Sequence, residues 1–210
     1  MSGPSLPDRE VQTPALILRR VAYGEQAWIL TLLTRQHGMV SAMARAARTS
    51  RHRFGSGLDL FVVFEAHLVS RHPSALPELA STETIRSYPG ILDGLDRLEM
   101  GQAGLALTHD LLKDAPVTAD TFDQVRAFLT AIEQSPEHSA HGPLLRLGWQ
   151  LLEALGATIA KEHLDEALRA ALRTGEVNTG TPTRAAVLRF LQETTEQVLG
   201  RAYVLFDLGG

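Results

Sequence analysis

The first part of the chain alternates apolar and polar positions in short runs. Pro14 to Tyr23 (PALILRRVAY) is a β-rich run with Pro14 at its start, where a missing N–H is tolerated, and Gly24-Glu25 ends it. From Gln26 to Thr34, Trp28, Leu30 and Leu32 alternate with Ile29, Thr31 and Leu33, which predicts a second strand. His37-Gly38 reads as a turn into a third strand, Met39 to Arg45. A fourth covers Phe61 to Ser70, with Val62, Phe64, Ala66 and Leu68 on one face and Val63, Glu65, His67 and Val69 on the other. Leu79 to Arg86 is a weaker fifth. Five short strands separated by turn signals predict a small barrel or sandwich.

The period changes at Tyr88-Pro89-Gly90. Ile91, Leu92, Leu95, Leu98, Leu105, Leu111 and Leu112 recur with helical spacing, and Gly101 and Gly104 would permit a close neighbour. Asp120 is the expected N-cap of a helix from Thr121 to Gln134. Pro143 opens LLRLGWQLLEAL and Gly156 closes it, with Trp149 expected in the core. Lys161 to Arg173 and Thr183 to Leu199 complete five expected helices, a bundle. The expected class is therefore α+β with two domains, residues 1–87 β-barrel and 88–210 all-helical.

Charge divides along the same line. Residues 1–86 carry 10 arginines against 7 carboxylates, whereas the rest carries 10 basic groups against 17 acidic ones, so the front module is the one drawn toward anions. Eighteen of the 20 basic residues are arginine, so arginine by itself does not signal phosphate recognition. The chain has no cysteine, which excludes a disulfide scaffold, a thiol nucleophile and sulfur-ligated metal sites. MSGPSLPDREVQTP lacks the apolar segment of a secretory signal, and no window approaches a membrane span, so a cytoplasmic protein is expected.

The stretch from Gln26 to Leu58 contains no carboxylate. It carries Arg35, Arg45, Arg48, Arg51 and Arg53, the last three in an expected mobile loop with Thr49, Ser50, Gly55, Ser56 and Gly57. Such a loop beside a small barrel suits a nucleic-acid backbone, since guanidinium forks pair phosphates and hydroxyls add neutral donors. Arg19 and Arg20 extend the surface. The alternative is a solvated loop that adds only solubility. Among the aromatics, Trp28, Phe61 and Phe64 sit in strand patterns and are assigned to the core. Phe54 is the one considered for base stacking, against the competing role of a staple pinning the loop to the barrel.

Catalytic patterns are thin. Lys161 to Glu166 (KEHLDE) matches neither metalloprotease helix signature, and His138 with His141 are too few ligands for zinc. Gly175 to Gly180 (GEVNTG) is a turn, and neither a phosphate-cradling loop nor a nucleophile elbow occurs. No enzyme, cofactor or metal is expected.

As an ordered set, Thr13-Pro-Ala-Leu-Ile-Leu-Arg-Arg20, Tyr23-Gly-Glu25, Leu30-Thr-Leu-Leu-Thr-Arg35, His37-Gly38, Ala44-Arg-Ala-Ala-Arg48 and Leu60-Phe61 resemble the N-terminal domain of the RecO family of bacterial recombination mediators. Leu144 to Gly156 resembles that family's helical core. The resemblance implies an OB-fold followed by a helical domain, and a nucleoid-associated protein. It also implies binding of single- and double-stranded DNA, strand annealing, and cooperation with RecR and single-strand binding protein in recombinase loading. Many members hold zinc with four cysteines that this chain lacks, so no metal is implied. The family's usual glycine in the basic loop is Ala46 here, its next lysine matches Ser50, and its basic C-terminal segment is reduced to Gly200-Arg-Ala-Tyr-Val-Leu-Phe206. The residues expected on DNA are Arg19, Arg20, Arg35, Arg45, Arg48, Arg51 and Arg53. The alternative function is a protein-interaction adaptor with a degenerate barrel of weak DNA affinity, suggested by the acidic back half.

Overall fold

A computed structural model describes residues 10–47, 51–54, 58–72, 75–113, 115, 117–136 and 141–156, together with six helical positions between 192 and 199. The expected helix Lys161 to Arg173, the Thr183 to Leu199 helix apart from those six positions, the Lys161 cluster and the 175–180 turn lie outside the described residues, as do His138 and the His141 side chain. The chain divides into two compact units, Met1–Pro89 with Pro116–Arg126, and Gly90–Ala115 with Ala127–Gly210.

The first unit is a closed barrel of β1 (Glu10–Tyr23), β2 (Ala27–Thr34), β3 (Gly38–Ala44), β4 (Val62–Val69) and β5 (Glu78–Ser87), in the order β1-β2-β3-β5-β4. The class is α+β, as expected. All neighbours are antiparallel except β3 and β5, which meet in parallel at Met43 and Glu78. One ladder shows how the sheet closes. Val21 pairs Ile29, Ile29 pairs Met43, Met43 pairs Glu78, Glu78 pairs Val69, and Val69 pairs Glu10, near the other end of the strand where the circuit began. That stagger tilts the strands and lets five of them enclose a core. A bulge at Leu18, between the Ile17–Leu32 and Arg19–Thr31 pairs, supplies part of the bend. After it Arg20 shares the inner face with Leu30, and Arg19 faces outward.

The inward positions are those the alternation marked. Ala15, Ile17, Leu30, Leu32, Val40, Ala42, Ala44, Val62, Phe64, Ala66, Leu68 and Leu79 form one buried cluster. Two expectations change. Pro14 does not start β1 but sits five residues into it, opposite Glu65. Its carbonyl accepts the last bond from β2, from the Arg35 N–H at 2.9 Å, so its missing donor faces the side where that strand has just ended. The segment after β3 is also not wholly a loop, since Arg51–Phe54 makes one helical turn, α1. Phe54 from that turn is 2% exposed and belongs to the barrel core, so stapling is its role and base stacking is not. Thr82 Oγ1 donates to the Phe54 carbonyl at 2.8 Å and fastens α1 to β5.

The second unit holds α2 (Leu95–Leu112) and α4 (His141–Ala154), which pack together. Helix α3 (Ala119–Gln134) has its residues to Arg126 in the first unit and the remainder in the second. Ile91, expected in α2, instead ends a short 3₁₀ turn from Pro89. Gly104 is buried against the ring of Phe128: a Cβ built there would lie 2.3 Å from Cζ. The close approach anticipated from this glycine is therefore real. Thr118, rather than Asp120, caps α3, its Oγ1 accepting from the Thr121 N–H at 3.4 Å, because Asp120 already lies in the first turn. Gly156 has φ +67° and closes α4 as expected, and Trp149 is 8% exposed.

Candidate nucleic-acid interface

The end of β1, the start of β2 and the end of β3 meet at one end of their ladder, through the Ala22–Trp28 and Trp28–Ala44 pairs. Three of the predicted arginines come together there with the chain linking β3 to β4. Arg20 lies 5.4 Å from the centroid of the Trp28 ring and donates to the Leu58 carbonyl at 3.1 Å. Arg53 donates to the Arg45 carbonyl and covers the ring of Phe54 at 5.1 Å. Arg45, with a side chain 67% exposed, reaches Glu78 at 3.7 Å. Arg19 is exposed on the outer face of β1, next to this rim. Arg51 lies in α1 with its side chain outside the described residues, and Arg48 lies outside them altogether.

Arg35 is elsewhere. It follows β2 at the opposite end of the ladder, about 20 Å from Trp28 at strand rise. Its guanidinium grips Asp123 with bonds of 2.9 and 3.4 Å. The hydrogen bond and charge of Asp123 raise the Arg35 pKa, and Arg35 lowers that of Asp123. A carboxyl depressed in the folded state stabilises the fold above the ordinary aspartate range and loses that contribution as pH falls through its lowered value. Asp123→Asn is thus expected to be less stable than wild type at neutral pH, with the gap closing in acid. Paired urea melts at neutral and acidic pH check this.

The barrel also recruits an arginine that the alternation did not single out. Arg71, 79% exposed, shares the carboxylate of Glu78 with Arg45, its Nε lying 3.5 Å away. Glu78 is only 16% exposed and single, so this corner retains a net positive charge. Arg71 comes just after the expected end of the fourth strand, and only the closure between β3 and β5 carries it to Arg45.

A model of the domain described as "Recombination protein O N terminal" matches residues 9–88, the span of the barrel strands. A DNA repair protein RecO from Anaeromyxobacter dehalogenans is 33% identical over 166 residues, 79% of this chain and 63% of the relative. One from Gloeobacter violaceus is 32% identical over 149 residues, 70% of this chain and 55% of the relative. The chain belongs to the RecO family. Its barrel is an OB-fold, and its relatives are DNA repair proteins. The chain spans about three fifths of the length of the Anaeromyxobacter relative.

Ala46, where the resemblance leads one to expect glycine, stands at a turn with an unusual backbone. Ala46 has φ +51°, a left-handed conformation open to glycine without a Cβ clash. Ala46→Gly is expected to raise barrel stability by up to about 1 kcal/mol, the relief of strain exceeding the added freedom of the unfolded chain. A urea melt of the variant checks it. Among the described residues, no group of three or more histidines and carboxylates could hold a metal, and no helix is long and apolar enough to cross a membrane.

Proposed function

We propose that this RecO-family protein binds single- and double-stranded DNA through the arginine rim of its barrel, promotes annealing of complementary strands and assists recombinase loading, without bond chemistry of its own. The observation that carries this reading is the convergence of Arg20, Arg45 and Arg53 on the β3–β4 connection, with Arg19 and Arg71 beside them. Arg48 and Arg51 belong to the same connection in the sequence and are included in the proposal on that ground. Guanidiniums there neutralise phosphates, which lowers the repulsion between two polyanionic strands and raises their rate of encounter. Arg35 contributes less to DNA binding than the others, because Asp123 already occupies its guanidinium. On this reading residues 1–87 are the DNA-binding domain and residues 88–210 dock protein partners, RecR and single-strand binding protein in the family's manner. The setting is the cytoplasm at the nucleoid.

The test is a titration of labelled oligo(dT) at several salt concentrations. If about five arginines each neutralise one phosphate, log affinity falls against log salt with a slope of about −3 to −4. Arg45→Gln with Arg53→Gln should make the slope shallower by roughly 1 to 1.5. An unchanged slope would remove the rim from the mechanism. No binding at tens of micromolar in low salt would favour the adaptor function instead.

A further inference from the structure

One side of β1 loses its neighbour part-way along. Strand β4 runs beside it only from Glu10 to Leu16, whereas β2 lines the other side from Ala15 to Tyr23. Past Leu16, the side that β4 has left meets no strand among the described residues. All five residues from Arg19 to Tyr23 are exposed, the apolar Val21 and Tyr23 by 45% and 55%. Every second residue of this stretch turns its backbone N–H and C=O toward that open side.

Sheet edges of this kind are usually blunted by proline, by charge or by a bulge. Here Pro14 lies deeper in the strand, where β4 is still alongside, and the bulge at Leu18 precedes the open stretch. Arg20 does not guard the edge, because its guanidinium is engaged by the Trp28 ring and the Leu58 carbonyl. Arg19, Val21 and Tyr23 then alternate along the outer face. Their order is self-complementary. If two such strands run antiparallel about a twofold axis at Val21, each Arg19 falls opposite the Tyr23 of the other copy, and the two Val21 side chains meet at the axis. A guanidinium against a phenol ring is a favourable pair, and the symmetry supplies it twice. Arg20 falls opposite Ala22, so no like charges face each other, whereas an axis at Arg20 would oppose two guanidiniums.

We propose that the open edge of β1, from Arg19 to Tyr23, pairs antiparallel with the same edge of a second copy of this chain. The product is a twofold dimer whose sheet runs from one β2 through both β1 strands to the other β2. The pairing itself does not depend on the DNA-binding reading, but its consequence rests on it. Arg20, Arg45 and Arg53 stand at this end of the ladder, so the dimer carries two arginine rims on one particle, one for each strand being annealed. Stacking on the ring leaves the N–H edge of Arg19 open to a phosphate.

The test is sedimentation velocity of the full chain without DNA, over micromolar to millimolar concentration. Wild type should pass from monomer to dimer across the series, since a five-residue edge supports only weak association. Val21→Asp places two carboxylates against each other at the axis and should weaken dimerisation at least about tenfold. The chain has no cysteine, so a single introduced thiol reports its own position. Val21→Cys should cross-link into a dimer under mild oxidation, whereas Glu83→Cys, at an exposed position of β5, should stay monomeric at the same concentration. A wild type that is monomeric throughout would overturn the pairing. So would a Val21→Asp variant that dimerises like wild type, or equal cross-linking of the two cysteine variants. A dimer that binds no oligo(dT) would leave the pairing standing and defeat the DNA-binding reading instead.

Discussion

Phe54→Ala is expected to destabilise the barrel by about 3–5 kcal/mol, a large share of the ~5–15 kcal/mol that holds a typical domain together. The ring is 2% exposed and packs into the cluster formed by the five strands. A closed sheet around it cannot collapse freely into the space, so the lost transfer energy and the residual cavity add. The backbone around Phe54 is tied to β5 by Thr82, and Arg53 is tied to Arg45, so the rim should loosen as well. Chemical denaturation gives the stability loss. Phe54→Leu, which refills most of the volume, should recover more than half of it. A Phe54→Ala variant as stable as wild type would show that α1 is not part of the core.

Gly104→Ala should cost about 1–3 kcal/mol in the helical unit, against the usual trend for a helix interior. Alanine has the better intrinsic propensity, by up to about 1 kcal/mol, so a solvent-facing glycine would show a gain. Here the new methyl would lie 2.3 and 2.4 Å from the Phe128 ring carbons, inside van der Waals contact, and Phe128 is itself 4% exposed with little room to turn. Overlap therefore outweighs propensity. Adding Phe128→Leu to Gly104→Ala should restore part of the loss, and a double-mutant cycle would measure a favourable coupling between the two sites. Additive effects would separate the glycine from the ring.

Much of this was legible along the chain. Period-two alternation located the five strands within a few residues, because a strand with one buried face must place apolar groups on every second position. Helical spacing located α2, α3 and α4 for the same reason at a different period. The ends were less legible. Thr118 and Asp120 are both acceptable caps by type, and only the path of the backbone puts the Thr118 hydroxyl on the Thr121 N–H. Pro14 reads as a strand start because its missing donor is costly inside a ladder. It is harmless at the one position where the neighbouring strand has stopped.

The arginines divide in a similar way. Their density between Gln26 and Leu58, and the lack of carboxylates there, are properties of the amino-acid order and mark this region as the one drawn to anions. Which of them act together is a matter of long-range geometry. Arg35 lies in the same carboxylate-free stretch as Arg45, yet meets Asp123 from α3, whereas Arg71, well outside that stretch, meets the carboxylate that Arg45 also touches. Local order determines which face of a strand is apolar and which segments are basic, since both depend on neighbours one to four residues away. Barrel closure and helix docking set charges far apart in the chain against one another, and that pairing decides which guanidiniums are left to meet a phosphate.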